Sequence, residues 1–126
     1  MAGVRSAVAA LAMIVVLAAP ARATSSPFSC EYTFTSWTGV FIAELTVVNH
    51  GPPVTSWEAR WSFPTETALL GVWNTRITQL DPYRVIATGL IWNNAIPTAG
   101  TMKMGWTARA ATTGAPADLT VNGLPC

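Results

Sequence analysis

The chain has 126 residues, a formal net charge of +1 and only 10% charged side chains. That balance excludes a polyanion-binding role, because neither nucleic acid nor an anionic membrane is attracted without clustered Lys and Arg. A surface so poor in charge must be built from Thr, Ser, Asn, Gly and exposed apolar groups, which suits an uncharged partner.

Residues 1–23 read as a secretory signal peptide. Arg5 gives the positive start, Ala7 to Ala19 an apolar run containing Met13-Ile14-Val15-Val16-Leu17, and Ala21-Arg22-Ala23 a small-x-small cleavage site. The run ends in Pro20 and falls short of the ~20 apolar residues that a spanning helix needs. No cysteine directly follows the cleavage site to carry a lipid. Removing 23 of the 126 residues leaves 103, and Arg5 and Arg22 leave with them, so five basic residues face six acidic ones and the net charge becomes −1. The expectation is a short leader over 24–29 and one domain over 30–126, secreted, monomeric and free of the membrane once the signal is cut.

Cys30 and Cys126 stand at opposite ends of the mature chain, in a compartment where disulfides persist. A bridge between them would close a loop worth about 4–5 kcal/mol in chain entropy. The alternative is two free or intermolecular thiols.

Glu31 to Thr35 reads as a first short strand, with Tyr32 and Phe34 alternating against Glu31 and Thr33, closed by Ser36-Trp37-Thr38-Gly39. Val40 to Asn49 is a second, with Phe41, Ala43, Leu45 and Val47 on one face and Ile42, Glu44, Thr46 and Val48 on the other. The turn Asn49-His50-Gly51-Pro52-Pro53 ends it. Val54 to Pro64 is the organising strand: Trp57, Ala59, Trp61 and Phe63 fall on one side, Glu58, Arg60 and Ser62 on the other, a period of two that no helix accommodates.

Leu69 to Leu80 holds further strand material, Gly71 to Asn74 and then Arg76 to Gln79, before the Asp81-Pro82 turn. Tyr83, Val85 and Ala87 alternate with Arg84, Ile86 and Thr88. A loop around Pro97 to Gly100 follows Trp92-Asn93-Asn94. Met102, Met104, Trp106 and Ala108 then alternate with Thr101, Lys103, Gly105 and Thr107, and a small-residue loop, Ala110 to Ala117, precedes a last strand, Asp118 to Val121. Short strands with Gly, Pro and Asn between them predict an all-β, antiparallel β-sandwich of immunoglobulin-like size.

The six tryptophans divide by context. Trp57, Trp61 and Trp106 lie in register with apolar neighbours two residues away and are expected in the core. Trp37, Trp73 and Trp92 sit at strand ends beside polar residues (Ser36 and Thr38; Asn74 and Thr75; Asn93 and Asn94). Their bland reading is that they cap the ends of the sandwich. Three together point to an interaction surface, because contiguous exposed apolar area marks one. A neutral sugar ring offers a face of C–H groups that lies flat on an indole, while its hydroxyls seek amides and hydroxyls at the edges.

Cys30, Trp37 to Phe41, Asn49, Ser56-Trp57, Trp61-Ser62-Phe63-Pro64, Val72-Trp73-Asn74, Thr78-Gln79, Trp92-Asn93, Ile96-Pro97, Gly100, Gly105 and Asn122 to Cys126 form an ordered set. In this set the chain resembles a bacterial family 2 carbohydrate-binding module of the cellulose-binding type, over Cys30 to Cys126. The resemblance implies two packed antiparallel sheets, a disulfide joining the chain ends, and a flat binding face formed by Trp37, Trp73 and Trp92. Asn74, Gln79, Asn93 and Asn94 are the amide candidates beside them. Where the family carries polar amides, this chain has Glu44, Lys103 and Thr107, and the first two are expected to pair or to alter ligand preference. Ala108-Arg109-Ala110 stands where the family has Gly-Ser-His.

Catalysis is the rival class. A glycosidase needs two carboxylates about 5–9.5 Å apart across the scissile bond, and none of the six acidic residues sits in a paired motif. The one histidine, His50, lies in a turn, which argues against a copper oxygenase, a His/Cys metal site or Ser–His–acid chemistry. No cofactor is expected. The reading is a non-catalytic protein that docks on cellulose, chitin or xylan. The alternatives are a structural or host-interaction protein that binds protein or glycan, or a weak hydrolase. The chain ends at Cys126 without a linker, so an enzyme partner is expected to be a separate protein.

Overall fold

The structure, a computed structural model, describes residues 26–126. The signal peptide read over 1–23 and the start of the leader lie outside the described residues. Nine strands follow in order: β1 (Phe28–Trp37), β2 (Val40–Asn49), β3 (Glu58–Ser62), β4 (Ala68–Trp73), β5 (Arg76–Gln79), β6 (Arg84–Thr88), β7 (Thr101–Arg109), β8 (Thr120–Val121) and β9 (Leu124–Pro125). They form a four-stranded sheet, β1-β2-β7-β4, and a five-stranded sheet, β5-β6-β3-β8-β9, with every pairing antiparallel.

Alternation decides which face each sheet turns inward. Phe41, Leu45, Val47, Met104, Trp106 and Ala108 from the first sheet meet Ala59, Trp61, Val85, Ala87 and Val121 from the second in one cluster. At its centre the indoles of Trp61 and Trp106 stack with centroids 4.8 Å apart, and Phe63 meets both edge-on. Trp57, Trp61 and Trp106 are almost wholly buried, as expected. Each removes about 150–250 Å² from water, which is how so small a domain holds two sheets together.

The strand bounds differ from the reading where the chain is tied by neighbours. β1 runs from Phe28 to Trp37, beyond both ends of the predicted Glu31 to Thr35, because ten consecutive residues pair with β2. Val54 to Pro64 shrinks to β3, and Val54 makes only an isolated bridge to Ile96. Buried Asn49 holds that region. Its Nδ2 donates to the carbonyls of Pro52 and Ile96, and its Oδ1 accepts from the Gly51 N–H.

Tyr83 precedes β6 because the Asp81 carboxylate holds it in a turn, accepting from the Tyr83 and Arg84 N–H groups and from Arg84 Nε. Those bonds, the Arg84 side chain's first, lower the pKa of Asp81. Asp118 is likewise outside a strand, and its Oδ1 accepts from Ser62 N. Beyond Val121 the sequence reading had no strand, but Asn122 and Gly123, both at positive φ, turn the chain into β9. That hairpin carries Cys126 back to Cys30, and the two cysteines form the disulfide across Cα atoms 5.3 Å apart.

Candidate functional site

Partners across an antiparallel pair share a face, so the register of the four-stranded sheet places its outward side chains. Trp37 pairs with Val40, which pairs with Arg109, which pairs with Ala68. Four residues along the strands, Thr33 pairs with Glu44, Glu44 with Gly105, and Gly105 with Trp73. Both rows lie on the face opposite the core. Trp37 and Trp73 therefore share the outer surface at diagonal corners, about 14 Å apart across three strand spacings and about 13 Å along the strands.

Trp73 owes its outward direction to a β-bulge between Leu69 and Gly71. The extra residue, Leu70, shifts the phase of the strand, so that Val72 pairs with Trp106 on the core side and Trp73 with Gly105 on the outside. The Trp73 ring occupies the space that a side chain at Gly105 would need: a Cβ there would sit 2.2 Å from Trp73 Cζ2 and 2.5 Å from Cε2. The indole rests on the sheet and turns its other face to solvent, which explains why it is 37% exposed while Trp37 is 62% and Trp92 72% exposed.

Trp92 lies in the turn between β6 and β7, next to the fully exposed Ile91. Asn93 fixes this turn. Its Nδ2 donates to the Asn74 carbonyl at 2.7 Å, its Oδ1 accepts from Leu90 N, and its own carbonyl accepts from buried Trp57 Nε1. Trp92 is thereby tied to Asn74, the residue that follows Trp73. Trp73, Asn74, Trp92 and Asn94 form one corner of the molecule, and Trp37 stands apart from them.

The amide candidates separate accordingly. Asn74, at φ 61°, is exposed at the β4–β5 turn, and Asn94 is half-buried beside Gly89. The Asn93 amide is occupied by backbone. So is that of Gln79, whose Nε2 donates to Thr67 O and whose Oε1 accepts from Leu69 N, linking β5 of one sheet to β4 of the other. These two residues have structural uses, and each amide NH2 keeps one further N–H beyond its bond to backbone. The expected Glu44–Lys103 pair is not made. The ion pairs among the described residues are Arg60–Glu58 and Arg84–Asp81. Lys103 faces the same way as Glu44 but pairs with Thr46, one pleat further along. Thr107, the third departure from the family pattern, faces outward between Ile42 and Gly71.

The sequence reading did not single out Thr33, Thr35 and Ile42, which with Glu44 and Trp73 line a shallow groove of about 260 Å³ on this face. The alternation of β1 and β2 was the available signal. What was missing was the pairing that sets the two strands side by side. Glu31, Glu44, Lys103 and Arg109 balance to zero charge on the face, and the remaining positions are mostly Thr, Ser, Val and Ile. Such a surface presents apolar area and hydroxyl groups with no net field.

A family model described as a cellulose binding domain matches residues 28–126. The chain belongs to this family. Endoglucanase E-5 of Thermobifida fusca is 33% identical over 120 residues, which cover 94% of this chain and 25% of that protein. Chitinase C of Streptomyces lividans is 28% identical over 117 residues, 92% of this chain and 18% of that one. The chain thus spans a quarter or less of these curated relatives. Among solved structures, the chitin-binding domain of Chi18aC from Streptomyces coelicolor aligns with a TM-score of 0.67 at 25% identity, covering 81% of this chain and 96% of that one. The cellulose-binding family 2 carbohydrate binding domain from ScLPMO10C gives 0.59 at 26% identity, covering 74% and 94%. The family's match begins at Phe28, where β1 begins.

Proposed function

We propose that the chain is an extracellular, non-catalytic polysaccharide-binding domain that docks on cellulose or chitin by stacking glucose or N-acetylglucosamine rings on Trp37, Trp73 and Trp92. The observation that carries this reading is the division of the indoles. Trp57, Trp61 and Trp106 are at most 2% exposed, whereas the other three are 37–72% exposed on the outer sheet and its adjoining turn. Membership of the cellulose binding domain family and likeness to chitin-binding and cellulose-binding domains support the ligand class.

The non-catalytic reading rests on the match to a binding-domain family and on the use of three of the six carboxylates. Glu58 is paired with Arg60, Asp81 with Arg84, and Asp118 accepts from a backbone N–H. Extracellular location rests on the signal-peptide pattern and on the disulfide, which persists in oxidising compartments.

Depletion assays on insoluble cellulose and chitin test the reading. Aromatic stacking on a nucleobase is worth about 1–3 kcal/mol per ring. If a sugar gains a similar amount, single Trp37→Ala, Trp73→Ala or Trp92→Ala variants weaken binding at least about fivefold. Wild-type protein that stays in the supernatant with both polymers refutes it. Soluble reducing sugar released from either polymer refutes the non-catalytic part.

A further inference from the structure

The groove beside Trp73 holds a charge that a neutral glycan does not require. It is lined by Thr33, Phe34, Thr35, Ile42, Ala43, Glu44 and Trp73. Glu44 is half-buried, and its cross-strand neighbours, Thr33 and Gly105, and its neighbours along the strand face, Ile42 and Thr46, are all uncharged. Lys103 makes no ion pair with it. The volume, about 260 Å³, falls below the usual range for drug-sized pockets and fits one ring rather than a length of chain.

An indole face with a carboxylate at its flank is the composition of a cation site. The ring quadrupole attracts an ammonium placed over it, and an ionised carboxylate accepts a charge-assisted hydrogen bond roughly twice as strong as a neutral one. We infer that this groove selects the ammonium of a 2-amino sugar, so that the chain prefers partially deacetylated chitin to fully acetylated chitin. In the acetylated polymer the same nitrogen is a neutral amide whose N–H can still donate to Glu44, but the attraction between opposite charges and the cation–π contact are both lost. The inference rests on the stacking role proposed for Trp73 and names the substrate within that class.

The test is calorimetric titration with β-1,4-linked hexasaccharides of glucosamine and of N-acetylglucosamine, in low-salt buffer acidic enough to keep the sugar amine protonated. Wild type is expected to bind the glucosamine hexasaccharide about tenfold more tightly. In Glu44→Gln, which keeps the shape and removes the charge, the ratio falls to about one. In Lys103→Gln, which removes a repelling cation from the same face, the ratio rises. Glu58→Gln, which removes a carboxylate from the other sheet, keeps the wild-type ratio. Equal wild-type binding of the two hexasaccharides, or a preference that survives Glu44→Gln, overturns the inference and leaves the polysaccharide reading standing. A preference that falls equally in Glu44→Gln and Glu58→Gln reports bulk charge and also overturns it. Wild type that binds neither hexasaccharide nor insoluble cellulose overturns both.

Discussion

At position 105 a missing side chain does more for the surface than a present one. Trp73 can lie on the sheet only because Gly105 beneath it has no Cβ; an alanine there would press on the indole and also come within 2.7 Å of the Ala43 carbonyl. Gly105→Ala is therefore expected to cost about 1–3 kcal/mol in a urea melt, as overpacking does, and to weaken binding as Trp73→Ala does. Tyr32 shows the opposite situation, a polar atom without a use. Its hydroxyl is buried with no hydrogen-bond partner, and burial raises its pKa well above the usual tyrosine value. Below about pH 10 the hydroxyl is protonated in folded and unfolded chain alike and adds no pH dependence. Above it the unfolded chain loses the proton first, so stability falls as pH rises. Tyr32→Phe is expected to raise the urea midpoint at neutral pH, by relieving an unpaired group, and to flatten the decline measured above about pH 10.

The elements of the outer sheet were legible to different degrees. β2 was read at its observed bounds because its alternation is unbroken and turn residues stop it at both ends. The split between β4 and β5 was read as two pieces, but not that they belong to different sheets, since local alternation carries no sheet assignment. The bulge at Leu70 was hidden for a related reason: Leu69-Leu70-Gly71-Val72 offers apolar residues in either phase, and only pairing with β7 selects one. A one-residue insertion between Gly71 and Val72 tests that phase. With the pairing up to Gly71 kept, it moves Trp73 from its place opposite Gly105 to one opposite Met104 on the core side, and the variant is expected to lose several degrees of melting temperature and its affinity for cellulose together. Retained affinity would mean that the phase of the strand does not orient the indole.

Across the whole molecule, the two sheets and the terminal disulfide were readable from period-two patterning, turn residues and two distant cysteines. The exposed trio of tryptophans was readable because each breaks that patterning among polar neighbours. The direction of an amide is not legible in this way: nothing local in the sequence shows that the Gln79 and Asn93 side chains bond backbone. What emerges is a domain whose interior fixes three indoles so that three others can stay outside. Oxidative footprinting of tryptophan, read by mass spectrometry with and without insoluble cellulose or chitin, tests that division directly. The account predicts that Trp37, Trp73 and Trp92 oxidise in the free protein and are protected when bound, while Trp57, Trp61 and Trp106 change in neither state. Equal oxidation of the three outer indoles in free and bound protein would contradict it.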